Sequence, residues 1–119
     1  MDRALQIELH ELHARLCKAI ADPKRLLIIT ELRSGPLTVN ELALALDMSQ
    51  SNTSQHLAVL RERGVVQVER DGLNSFYSLR GKKVLRAIDL LREFMAEDLN
   101  ESSKLRKAAG KIPAASSRR

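Results

Sequence analysis

The sequence predicts a mainly α-helical domain carrying one small β-hairpin, and three observations predict it. Apolar residues recur at spacings of three and four through most of the chain. Between about residues 65 and 80 that period gives way to two β-rich runs around Asp71-Gly72-Leu73-Asn74. The composition is 44% hydrophobic but only 3% aromatic, so the core must be aliphatic, and its Leu and Ala favour helices. The 119 residues amount to one ordinary domain.

The elements follow in order. Leu5, Leu9, Leu12, Leu16 and Ile20 share one face of a helix over about 3–20. Asp22 caps a second helix and Pro23 suits its first position. That helix carries Leu26, Leu27, Ile29 and Leu32 as its apolar set and stops at Ser34-Gly35-Pro36. Thr38, with Glu41 three residues later, has the capping-box form and opens a third, short helix. Leu42, Leu44, Ala45 and Leu46 are its apolar residues, and it ends near Asp47-Met48. Ser49 caps a fourth helix that runs to about Arg63 and is stopped by Gly64, with Thr53, Leu57 and Leu60 facing inward. Residues 65–70 and 75–80 form the two strands of the hairpin. A last helix over about 82–103 carries Val84, Ile88, Leu91, Met95 and Leu99 in one stripe. Residues 1–105 are read as the folded domain and 106–119 as a basic, disordered tail.

Charge excludes one easy argument. The net charge is +5, but residues 104–119 hold six of the twenty basic residues and none of the fifteen acidic ones. The body therefore carries 14 basic against 15 acidic residues, and basicity belongs to the tail. No apolar run approaches the roughly 18 residues of a membrane span. The opening residues lack a secretory pattern, and a single cysteine, Cys17, excludes an internal disulfide framework. A cytoplasmic protein without membrane association is expected. No Cys/His or Ser/His/Asp arrangement and no Gly-rich phosphate loop stands out, so an enzyme is not expected.

A short helix, a turn and a polar-faced helix followed directly by a hairpin make a winged helix-turn-helix. The fourth helix has the chemistry to read DNA. Ser49, Gln50, Ser51, Asn52, Ser54 and Gln55 offer amides and hydroxyls to base edges and phosphates, and a helix fits the major groove. The helix N-terminus adds free N–H groups for a phosphate. Arg61, Arg63 and Arg70 lie near enough to touch the DNA backbone. His56 is read first as a packing or hydrogen-bonding residue between the two motif helices, with a phosphate contact as the alternative.

The run 46–66, from Leu46-Asp47-Met48-Ser49 through Gln55-His56-Leu57 to Gly64-Val65-Val66, resembles the signature of the ArsR/SmtB family. So do Ala19-Ile20-Ala21-Asp22-Pro23-Lys24-Arg25-Leu26 and the hairpin end Phe76-Tyr77-Ser78-Leu79, over roughly residues 12–80. The resemblance implies a homodimer joined through the first and last helices, binding of double-stranded operator DNA, repression, and release on sensing a signal. Many family members sense metals through a Cys-x-Cys pair, but Thr38 and Asn40 stand at the matching positions. A second family site uses Asp and His ligands on the last helix, where Asp89 matches at most one ligand and residues 81–119 hold no His. The two-cysteine redox switch of another subgroup is closed to a chain with one cysteine. No metal and no cofactor is expected at these sites. The wing also departs from the family habit of a basic residue after its Gly, since Leu73 and Asn74 follow Gly72. Arg70 and Asn74 are then its candidates for DNA contact.

Two other readings accompany this one. His10 and His13 share a helical face and could serve a metal sensor with a non-standard site, although two ligands do not close a zinc site. A winged-helix adaptor binding protein is disfavoured by the polar, non-aromatic face of the fourth helix. Cys17 is read as a buried small hydrophobe.

Overall fold

The computed structural model describes residues 1–108, with side chains through Leu105. Five helices and one hairpin follow the expected order. Helix α1 covers 3–20 in three parts: an α segment Arg3–Leu12, a π-helical turn His13–Cys17 and a last turn Lys18–Ile20. Helix α2 is Pro23–Glu31, extended by a 3₁₀ turn Leu32–Ser34. Helices α3 (Val39–Leu46) and α4 (Gln50–Glu62) are joined by a tight turn. Strands β1 (Val66–Asp71) and β2 (Asn74–Leu79) lead to α5, Lys83–Ala108. The expected tail from residue 106 lies outside the described residues, apart from the backbone of 106–108, which continues α5.

Local chemistry explains these boundaries. The Asp22 carboxylate accepts N–H groups from Lys24 at 2.8 Å and Arg25 at 3.2 Å, and Pro23 supplies a helical φ where no N–H is needed. The capping box of α3 is complete: the Glu41 N–H donates to Thr38 Oγ1 at 3.1 Å and the Thr38 N–H donates to Glu41 Oε1 at 2.9 Å. Asp47, at φ +54°, makes the left-handed turn between α3 and α4. Gly64, at φ +83°, ends α4: its N–H bonds the Arg61 carbonyl and the Val65 N–H bonds the Leu60 carbonyl. Gly72, at φ +67°, opens the two-residue hairpin loop, with Asp71 paired to Asn74 across it.

The described residues divide into two compact units, one ending at Leu85 and the other beginning at Arg86. In the first, Ile28, Ile29, Leu32, Leu42, Leu57, Leu60 and Val66 form the fully buried core. Helix α2 packs on α3 and α4, α4 packs on β1, and the end of α1 reaches both α2 and α4. The hairpin is not alone. Leu37 pairs with Tyr77 through two backbone hydrogen bonds of 2.9 and 2.8 Å, so β2 is flanked by β1 and by the segment before α3.

Three apolar expectations need correction. Leu27 is exposed while its neighbour Ile28 is buried, because the inward face of α2 is set by the i, i+1, i+4 column Ile28, Ile29 and Leu32. Leu44 is 84% exposed, and the apolar contribution of α3 falls on Leu42 and Ala43. Cys17 is half-buried rather than buried. On α1, Leu5, Ile7, Leu9 and Leu12 are exposed, and only Ala19 near its end is buried. In the second unit, Ile88 is buried, whereas Leu90, Leu91, Phe94, Met95 and Leu99 are exposed.

Asp22 yields a prediction. Burial acts against its charged form, but the N–H groups of Arg25 and Lys24 and the neighbouring His56 and Arg25 outweigh it, holding the carboxyl below its ordinary value of 3.8. A depressed folded-state value means that the stabilisation is complete above the ordinary range and is lost as pH falls through the depressed value. Replacing Asp22 by Ala therefore costs about 0.5–2 kcal/mol at neutral pH in urea unfolding. The gap between variant and parent closes as the pH is lowered below 3.8.

Candidate nucleic-acid interface

Helix α4 is held by a narrow inward stripe. Thr53, Leu57 and Leu60 are the buried residues of the helix. A buried hydroxyl needs a partner, and Thr53 Oγ1 donates to the Ser49 carbonyl at 2.8 Å. Ser49 closes the N-terminus, its Oγ accepting the Asn52 N–H at 3.0 Å. With the stripe inward, Ser51, Gln55, Ala58 and Glu62 fall on the opposite face at helical spacing, and all four are exposed. Gln50, Ser54 and Arg61 are exposed along one flank. Asn52 and His56 are half-buried on the other.

The structure thus brings eight of the expected site residues, Ser49, Gln50, Ser51, Asn52, Ser54, Gln55, His56 and Arg61, onto one helix and its cap. Arg70 and Asn74 stand apart on the hairpin, Arg70 opposite Ser75 and Asn74 opposite Asp71 at the loop. Both are exposed, and Leu73 between the strands is 96% exposed. A shallow groove beside the N-terminus of α4 is lined by Asn40, Ala43, Leu44, Asp47, Met48 and Gln50.

His56 is engaged, but not where the sequence placed it. Its Nδ1 lies 3.2 Å from Nη1 of Arg25, so it bonds to α2 and not to α3, its partner in the motif. A guanidinium only donates, so in this contact Nδ1 is the acceptor. The same guanidinium donates from Nε to the Ala19 carbonyl and from Nη2 to the Lys18 carbonyl at 3.3 Å. Arg25 therefore ties the end of α1, the start of α2 and the middle of α4 together. Sequence reasoning noticed Arg25 only as part of a motif, because a single cation three residues after a cap carries no signal of a partner 31 positions away.

Elsewhere the expected alternatives gain little. His10 and His13 are exposed, and among the described residues no group of three or more His, Cys, Asp or Glu gathers to hold a metal. The Thr38 hydroxyl is committed to its cap. Asp89 is ion-paired with Arg92 at 3.0 Å. No helix among the described residues is long and apolar enough to cross a membrane.

A helix-turn-helix followed by a two-stranded wing, with a polar outer face on the second motif helix, defines a winged helix-turn-helix domain. Comparison with known proteins agrees. The model of the bacterial regulatory proteins of the arsR family matches residues 22–68. The HTH-type transcriptional regulator NmtR of Mycobacterium tuberculosis is 45% identical over 76 residues, 64% of this chain and 63% of that protein. This chain thus spans under two thirds of NmtR's length. The biofilm growth-associated repressor of Agrobacterium fabrum is 41% identical over 78 residues, 66% of this chain and 67% of that protein. Among solved structures, the homodimeric winged helix-turn-helix DNA-binding domain of Mb0332 from Mycobacterium bovis is similar. It superimposes with a TM-score of 0.69 at 31% identity, covering 82% of this chain and 88% of that one. The chain belongs to the arsR family of bacterial regulatory proteins.

The Arg25–His56 hydrogen bond predicts a split between stability and binding. His56→Ala lowers unfolding stability by about 1.5–3 kcal/mol, the worth of a hydrogen bond to a charged group. At a temperature where the variant is fully folded, its DNA affinity in an electrophoretic shift stays within a few-fold of the parent.

Proposed function

We infer that the protein is a homodimeric repressor that acts in the cytoplasm by binding a palindromic operator. The observation that carries this reading is the outer face of α4, where short amides and hydroxyls stand exposed around Ser51 and Gln55. Such groups bond base edges, and the N-terminal half of a recognition helix is the half that enters the major groove. Glu62 occupies the same face one turn beyond Ala58 and would repel phosphates, which also favours the N-terminal half. Gln50, Ser51, Asn52, Ser54 and Gln55 are assigned to bases and nearby phosphates. Ser49, Arg61, Arg70 and Asn74 are assigned to the DNA backbone and the wing. His56 serves chiefly the stability of the fold, through its bond to Arg25.

Two copies are needed because each unit exposes an apolar face. Leu5, Leu9 and Leu12 on α1, and Leu91, Met95 and Leu99 on α5, are large, exposed and periodic. Exposed stripes of this kind mark interaction surfaces. The relative Mb0332 is a homodimer, which supports the same assembly here. The resemblance to a repressor supports repression as the mode of action. Two recognition helices would then read half-sites about one helical turn apart.

Selection from random duplex DNA at physiological salt should return one inverted repeat. Weak, salt-labile binding with no enriched motif overturns the operator reading and leaves only phosphate attraction. In titrations of that repeat, Ser54→Ala combined with Gln55→Ala weakens affinity by about 1–3 kcal/mol for each base-reading side chain removed and relaxes specificity at the bases they read. Unchanged affinity would remove these residues from the interface.

The assembly has its own test. Leu91→Glu places a charge on the apolar face of α5 and should yield monomers in analytical ultracentrifugation, with the far-ultraviolet circular dichroism retained. A variant that stays dimeric excludes that face from the interface.

A further inference from the structure

We propose that Arg15 and Arg80 form a binding site for a small oxyanion, the carboxylate or phosphate group of a soluble ligand, at the C-terminal end of α4. The two guanidinium groups converge on one glycine. A Cβ on Gly64 would stand 3.2 Å from Nη1 of Arg80 and 3.4 Å from Nη2 of Arg15, so both guanidinium groups reach the same stretch of bare backbone. Two cations held this close repel one another and gain most from a shared anion.

Among the described residues, no hydrogen bond or ion pair engages either guanidinium. They are not needed as caps for α4, because its terminal carbonyls are already bonded by backbone. The Arg63 N–H reaches Val59 at 3.0 Å, Gly64 reaches Arg61 at 3.0 Å, and Val65 reaches Leu60 at 2.9 Å. Arg15 also lies within the π-helical turn of α1. In a regular helix Glu11 would sit one turn away on the same face and capture it. No such pair forms among the described residues. Turns of this kind recur at functional sites.

The site lies away from the base-reading end of α4. The 13 residues of α4 place Gly64 about 20 Å from the reading end of the helix, at 1.5 Å per residue. Arg80 follows directly on β2, at the root of the hairpin and not at its loop. Guanidinium forks recognise carboxylate and phosphate in the same bidentate geometry, so inorganic phosphate is a fair probe for either. The site joins α1, α4 and the hairpin. An anion bound there would bias the elements that, on the reading above, carry the dimer face, the recognition helix and the wing.

The experiment is a titration of the full ¹⁵N-labelled chain with inorganic phosphate at constant ionic strength, without DNA. A saturable shift of the Gly64 and Arg80 amides is expected, with binding weakened at least tenfold in the Arg15→Gln/Arg80→Gln variant. Both substitutions are at the surface, and circular dichroism checks that the variant is folded. Absence of a saturable shift, or the same shift in the variant, overturns the proposal. So does a variant that falls to monomers when the parent shows no phosphate response, because the arginines then pair with acidic side chains of a second copy. Since no DNA is present, failure here is separate from failure of the operator reading.

Discussion

The burial of three residues on one helix, Thr53, Leu57 and Leu60, is the constraint on which the rest depends. They occupy a narrow stripe, and each is fully buried. A helix pinned along so narrow a line leaves most of its circumference free. What is free is mostly polar, with Ala58 as its one exposed apolar side chain, because both leucines of α4 lie on that stripe. Thr53 is the informative member. An apolar residue there would bury as well, but the hydroxyl is satisfied only by the carbonyl of Ser49, one turn back. The first turn of α4 is therefore held from inside by Thr53 and from outside by the Ser49 cap.

Around that helix the fold supplies rigid references. Arg25 fastens α4 through His56 to carbonyls at the end of α1. Leu37 fastens β2 to the segment entering α3. The wing is thereby tied to the first helix of the motif, and the recognition helix to α1 and α2. Groups that must meet a duplex in fixed register gain when their support does not move, since little ordering is left to be done on binding.

At the start of α3 the two positions of the family's Cys-x-Cys pair are Thr38 and Asn40. The position where a family relative would place a cysteine holds Thr38, whose hydroxyl caps α3. Substituting a thiol there would trade a helix cap for a ligand. A pair of cations without a partner among the described residues, at the far end of α4, is a different device. It uses charge where a metal sensor uses softness, and it sits at a helix end already closed by its own backbone.

How much was readable in advance differs by level. Order and type of the elements, the caps at Asp22, Thr38 and Ser49, the stop at Gly64 and the inward stripe of α4 all follow from the sequence. They depend on interactions within about four residues, which spacing and residue type determine. The polar outer face of α4 was readable for the same reason. Tertiary structure alone decided that Ile28 and not Leu27 is buried, that Leu44 faces outward, and that Leu37 joins the hairpin. It alone directed His56 to Arg25, and brought Arg15 and Arg80 together at Gly64. Those outcomes join positions tens of residues apart. They depend on how helices cross and how strands register, quantities that no local period records.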